Sequence, residues 1–153
     1  MKSIWVTSSK NVSKPWGEER QWNTGGTGRI SGKILRLNKG CRNSLKYNKI
    51  KDETLFLLSG KLLLTYSNEH PQEHYEFHSM QVLPGDTINI QSGCPYRIKA
   101  LEDSTIVEIA YRTYSDGVVR FHDDYGRHST VEEHEAYQNA EKAEKSIALI
   151  EDI

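Results

Sequence analysis

Apolar positions along most of this chain come in short runs broken by turn residues, and few of them repeat at a helical period. "GKILRLNKG" alternates Ile34, Leu35 and Leu37 with Lys33 and Arg36, then breaks at Asn38–Gly40. "ETLFLLSGKLLLTYSNEH" holds two apolar runs joined across Ser59-Gly60, the composition of a glycine-containing hairpin. "HYEFHSMQVL", "DTINIQ", "YRIKALE" and "STIVEIAYRTYS" are further strand-length runs. Pro84-Gly85-Asp86, Ser92-Gly93 and Glu102-Asp103 supply turns between them. "SIWV" near the start is a short β-prone run, followed by the polar stretch "TSSKNVSKPWGEE". Many short strands about ten residues apart predict an all-β sandwich or barrel.

The last segment has a different period. "STVEEHEAYQNAEKAEKSIALI" is rich in Ala, Glu and Lys, and lacks Gly and Pro. Ser129 precedes Glu132 by three residues and Thr130 precedes Glu133 by three, so either pair can form a capping box. Val131, Tyr137, Ala140, Ile147 and Ile150 make a narrow apolar stripe at helical spacing. The expectation is a C-terminal α-helix lying on the barrel or on a partner subunit. The domain division read from this change is residues 1–128 as a barrel with an N-terminal arm, and 129–153 as an acidic helix or tail.

With 153 residues the chain fits one domain. Its net charge of −1 gives no reason to expect nucleic acid or an anionic membrane as partner. Residues 129–153 carry seven acids and two lysines, which leaves the remainder net positive. "MKSIWVTSSK" is too short and polar for a secretion signal, and no apolar run reaches membrane-spanning length. Cys41 and Cys94 form neither a disulfide framework nor a zinc spacing, so a reducing cytoplasmic setting is expected.

Four stretches resemble a known family when taken in order: "KPWG" at Lys14–Gly17, Gly40–Gly60 "GCRNSLKYNKIKDETLFLLSG", "LPGDTINIQSGCPYRIKA", and "VVRFHDDYGR" at Val118–Arg127. Together they resemble a cupin, specifically the small barrel of type II mannose-6-phosphate isomerases and of the C-terminal part of mannose-1-phosphate guanylyltransferases. The resemblance implies an all-β double-stranded β-helix, jelly-roll-like, commonly a homodimer, with a pocket inside one end. The family pattern places two histidines at the positions of Asn48 and Ile50, a glutamate at Glu53 and a third histidine at Tyr96. Only the glutamate stands here. An amide, a phenol and an aliphatic side chain are poor donors to a divalent transition metal, so no metal and no other cofactor is expected.

Side chains on a strand alternate between faces, which puts Lys46, Asn48 and Ile50 together and Tyr47 and Lys49 opposite. The resemblance aligns Lys33, Lys46 and Lys51 with polar positions of the family's pocket, and Arg97 follows Tyr96 directly. The expected ligand-binding set is Lys33, Lys46, Asn48, Lys51, Glu53, Tyr96, Arg97 and Glu108. A phosphate or carboxylate would suit its cations, and sugar hydroxyls its remaining groups. Glu53 either pairs with Lys33 or Lys46 or contacts the ligand. Arg120, Asp124, Tyr125 and Arg127 either lock the C-terminal segment by ion pairs or bind phosphate. His70, His74 and His78 recur every four residues, but Pro71 argues for a hairpin, where they are solvated edge residues or a surface metal site. His122 falls in the terminal motif and is expected at the surface.

Two function classes lead. One is a metal-free binder of a small carbohydrate-type ligand, a sugar phosphate or nucleotide sugar. The other is a metal-independent isomerase or epimerase using Glu53 with Tyr96 or Lys46 as a proton-transfer pair. A metal-dependent mannose-6-phosphate isomerase and a purely structural dimerisation module complete the set.

Overall fold

The computed structural model describes residues 2–22, 29–68, 75–111, 118–122, 124–125 and 134–151. Eleven strands and one helix are defined among them: β1 Lys10–Lys14, β2 Gly17–Trp22, β3 Ile30–Leu37, β4 Leu45–Asn48, β5 Asp52–Ser59, β6 Leu62–Tyr66, β7 His78–Val82, β8 Thr87–Ile90, β9 Tyr96–Ala100, β10 Ser104–Tyr111, β11 Val118–His122 and α1 His134–Glu151. The strands form a six-stranded sheet, ordered β1-β2-β3-β10-β5-β8, and a five-stranded sheet, ordered β11-β4-β9-β6-β7. Their pairings are antiparallel. Inward-facing Leu35, Leu37, Leu55, Leu57, Ile98 and Ile106 are buried in one cluster between the sheets. Each such leucine or isoleucine contributes roughly 1.5–3 kcal/mol by leaving water.

Three expectations need correction. "SIWV" is not a strand: Ile4 and Val6 are almost wholly exposed, and pairing begins at Lys10. The polar stretch after it contains β1 and the start of β2, joined by the "KPWG" turn. Trp16 in that turn is buried in the core, and its carbonyl accepts the Asn38 N–H at 2.9 Å. The Ser59-Gly60 signal is not a hairpin, because β5 and β6 belong to different sheets. Gly60 instead turns the chain around the corner between the layers with φ of 97°. A side chain there would collide with the Ser104 hydroxyl and would lie 2.5 Å from the Asp103 carbonyl oxygen.

Helix α1 packs on the outer face of the five-stranded sheet. Ala136 and Ala140 share a buried cluster with Leu45, Tyr47, Tyr75, Phe77 and Phe121, the small residues admitting the aromatic rings. The Arg42 guanidinium donates to both Asp124 oxygens at 2.6 and 2.7 Å and to Glu141 and Glu144 at 2.5 and 3.1 Å. The Tyr125 hydroxyl donates to the Arg42 carbonyl at 3.0 Å. Asp124 and Tyr125 of the terminal motif therefore fasten the chain through Arg42, a residue that sequence reasoning overlooked. The expected capping boxes, His70, His74 and Arg127 lie outside the described residues. His78 is exposed on β7. Of His122, only the backbone placement on β11, paired with Leu45, is described.

Candidate functional site

Strand alternation divides β4 cleanly. Leu45 and Tyr47 face α1, while Lys46 and Asn48 face the barrel interior. Ile50 lies beyond the end of β4 and is 42% exposed, so it does not share that interior surface. On β5 and β10 most inward positions are apolar, but toward one end of the barrel they include Glu53 and Glu108. β3 contributes Lys33, which is directly across from Glu108 in the register. The barrel interior thus has an apolar end and a polar end.

At the polar end Asn48 Nδ2 donates to Glu53 Oε1 at 2.6 Å, and the Tyr96 hydroxyl donates to the same oxygen at 3.2 Å. Lys51 Nζ stands 3.4 Å from Glu53 Oε2 and 3.6 Å from Glu108 Oε2. Lys33 Nζ pairs with Glu19 at 2.9 Å and lies 4.0 Å from Glu108. Glu19, on β2, was absent from the expected set. It is buried and also accepts from Gln21 at 2.7 Å. The signal for it is the second of the two acids after Gly17, on the inward face of a strand that sequence reading did not recognise.

These surroundings push the two central carboxyls apart. Burial raises the Glu53 carboxyl, but Lys51, a hydrogen bond from Glu108, Lys46 and Tyr96 outweigh it and hold it below the usual range. Burial and the Glu53 charge push Glu108 up to about 7 against Lys51 and Lys33. Of the two neighbouring carboxyls, Glu53 is thus held ionised while Glu108 keeps its proton toward neutral pH. Tyr96 is carried well above its ordinary value by burial and by Glu53, which fixes it as a hydroxyl donor. Burial would lower Lys33, yet Glu108 and Glu19 raise it overall. Burial pushes Lys46 down more than Glu53 and Glu108 pull it up.

Arg97 requires correction as a pocket cation. Tyr96 and Ile98 face the interior, so Arg97 between them points outward beneath α1. There its Nη1 donates to Glu141 at 3.1 Å and to Glu144 at 3.5 Å. Seven of the eight expected ligand-binding residues, all but Arg97, face the polar end or border it.

A cavity of about 640 Å³ opens between β7 and β8, with Tyr66, Gln81, Asn89, Gln91, Cys94 and Tyr96 among its walls. Tyr96 belongs to both the cavity wall and the polar cluster. Among the described residues no three His, Cys, Asp or Glu side chains gather as a metal-binding group. The donor set does not fit a divalent cation: Asn48 and Tyr96 turn N–H and O–H toward Glu53, and the Lys51 ammonium occupies its other side.

No family model and no curated protein matches the chain. Solved structures do match in fold. Oxalate decarboxylase from Bacillus subtilis is 19% identical with a TM-score of 0.62, over 73% of this chain and 30% of that one. KdgF from Halomonas sp. is 14% identical with a TM-score of 0.57, over 76% of this chain and 98% of that one. The match thus spans under a third of the decarboxylase and nearly all of KdgF. At these identities the likeness is one of fold: an all-β cupin double sheet, here with one C-terminal helix.

Proposed function

We propose that this cupin-fold chain binds a small carbohydrate-type ligand, a sugar phosphate or nucleotide sugar, at the polar end of its barrel and without a metal. The observation that carries this reading is the convergence of Lys33, Lys46 and Lys51 on Glu53, Glu108, Asn48 and Tyr96 beside a cavity of about 640 Å³. Such a mixed set suits a ligand with one anionic group and several hydroxyls. Among the described residues, Glu108 Oε2 is buried without a hydrogen bond and can accept one from a ligand hydroxyl. The proposed setting is cytoplasmic, and the proposed assembly a homodimer without nucleic-acid or membrane partners. No described helix is long and apolar enough to cross a membrane.

A panel of sugar phosphates and nucleotide sugars, screened by thermal unfolding with and without chelator, tests the binding. A saturable rise in Tm that survives chelator supports it. A flat response across the panel, or a rise that chelator abolishes, overturns it.

The Glu53–Glu108 pair favours a second reading, a metal-independent isomerase or epimerase. Two neighbouring carboxyls shifted in opposite directions, one ionised and one titrating near neutral pH, are suited to moving a proton. Glu53 is the carboxylate, Glu108 the acid, Tyr96 a hydroxyl donor and Lys46 an amine within the field of both acids. This reading requires turnover, or exchange of a substrate carbon-bound hydrogen with solvent deuterium, that persists in chelator and is lost in Glu53→Gln. Ligand binding with neither activity leaves only the binder.

A further inference from the structure

The three lysines at the polar end are not equivalent. Lys33 is engaged by Glu19 and Glu108, and Lys51 by Glu53 and Glu108. Among the described residues no carboxylate comes within 4.0 Å of the Lys46 ammonium, and its side chain makes no hydrogen bond. Lys46 sits midway along β4, on a half-buried stem, directly across from Tyr96 in the register. Its position is set by a strand whose opposite face is locked against α1 through Leu45 and Tyr47. An amine so placed is held on a half-buried side chain, without a carboxylate paired to it, beside the Glu53 and Glu108 carboxyls.

We propose that Lys46 is a nucleophile that forms an imine with the carbonyl carbon of an open-chain aldose, ketose or related aldehyde bound at the polar end of the barrel. This deepens the proposed function and rests on ligand binding at that end. Burial lowers the cost of a neutral amine, and the charges of Lys51 and Lys33 act in the same direction. The neutral Nζ lone pair adds to the carbonyl carbon while the C=O π pair moves to oxygen. That oxygen takes a proton from Glu108, and the nitrogen gives one up to the carboxylate pair. Protonation of the carbinolamine hydroxyl by the same pair expels water as the C=N bond forms, and the iminium nitrogen then returns its remaining proton to the pair. Amine and carbonyl become imine and water, with no change of oxidation state and the carboxyl protons restored.

Reductive trapping tests this with D-glyceraldehyde 3-phosphate as probe and sodium cyanoborohydride as reductant, read by intact mass and peptide mapping of the wild-type chain. The expected result is a dominant adduct on Lys46, formed at least about tenfold faster than any on exposed Lys2, Lys10 and Lys39. Lys46→Arg should remove that adduct, since a guanidinium does not form imines under these conditions. The same probe without reductant is followed by thermal unfolding. A Tm shift with Lys46 unmodified overturns the imine and leaves lumen binding standing. No shift and adducts only on exposed lysines overturns both for this class of ligand.

Discussion

At Glu108, burial and the Glu53 charge act together against Lys51 and Lys33 and carry the carboxyl to about 7 from an ordinary value of 4.5. A carboxyl raised by folding binds its proton more tightly in the native state, so it stabilises the fold below its unfolded pKa. That contribution is lost as pH rises from about 4.5 through about 7. Glu53 and Glu19 are shifted the other way, so what they contribute is present above their ordinary value and lost only as pH falls below it. The windows do not overlap. Glu108→Gln should therefore flatten the fall in stability between pH 5 and pH 8 by on the order of 2 kcal/mol, as read from urea unfolding at each pH. An unchanged slope in the variant would count against the carboxyl pair. At this scale much was legible, because the two-residue period of β4 places Lys46 with Asn48 and the family pattern points to Glu53. The partnership with Glu108 was not, since it depends on which strand of the sheet lies beside β5.

The same period, applied to β9, separates Arg97 from Tyr96. Grouping them by adjacency in the chain ignored the alternation, and Arg97 proves to be the buried cation under α1. Glu144, itself buried, accepts from Arg97, Arg42 and the Thr65 hydroxyl, the last at 3.2 Å. Removing one partner from such a group leaves charge stranded in a poorly solvated place. Arg97→Met should cost roughly 3–5 kcal/mol in chemical unfolding. It should also release α1 selectively, so that helix amides lose hydrogen-exchange protection while the β5 and β10 amides keep theirs. Equal loss in helix and sheets would mean that Arg97 supports the barrel and not the helix. At the corner between β5 and β6, Gly60→Ala should destabilise by about 1–3 kcal/mol, because both its φ and the nearby Ser104 and Asp103 atoms oppose a side chain. The β1–β2 hairpin escaped sequence reading for a related reason. "GEERQW" offers no apolar alternation, and the apolar anchor, Trp16, is in the turn.

At the scale of the whole molecule, the two sheets are covered unequally. α1 covers the outer face of the five-stranded sheet. The outer face of the six-stranded sheet carries Trp22, Ile30, Phe56, Leu58, Ile109 and Tyr111, each between 37% and 57% exposed. "LFLL" in β5 and "TIVEIAY" in β10 carry apolar side chains on both faces, the composition of strands covered from both sides. The spacing of strands and turns made the fold class legible, but a turn within a sheet and a corner between sheets use the same glycine chemistry. Pairing order, and hence this face, was not legible. Its charges include an internal pair, Arg36 to Glu18 at 2.6 Å, so the surface presents both signs and does not repel a copy of itself. A two-fold homodimer through this face satisfies both observations, since each copy offers the apolar strip that the other lacks. Sedimentation over a range of concentrations should show a dimer for the wild type. Leu58→Glu and Ile109→Glu, whose side chains point away from the core, should give monomers that still fold. A wild type that remains monomeric, or variants that remain dimeric, would mean that this face is not where two copies meet.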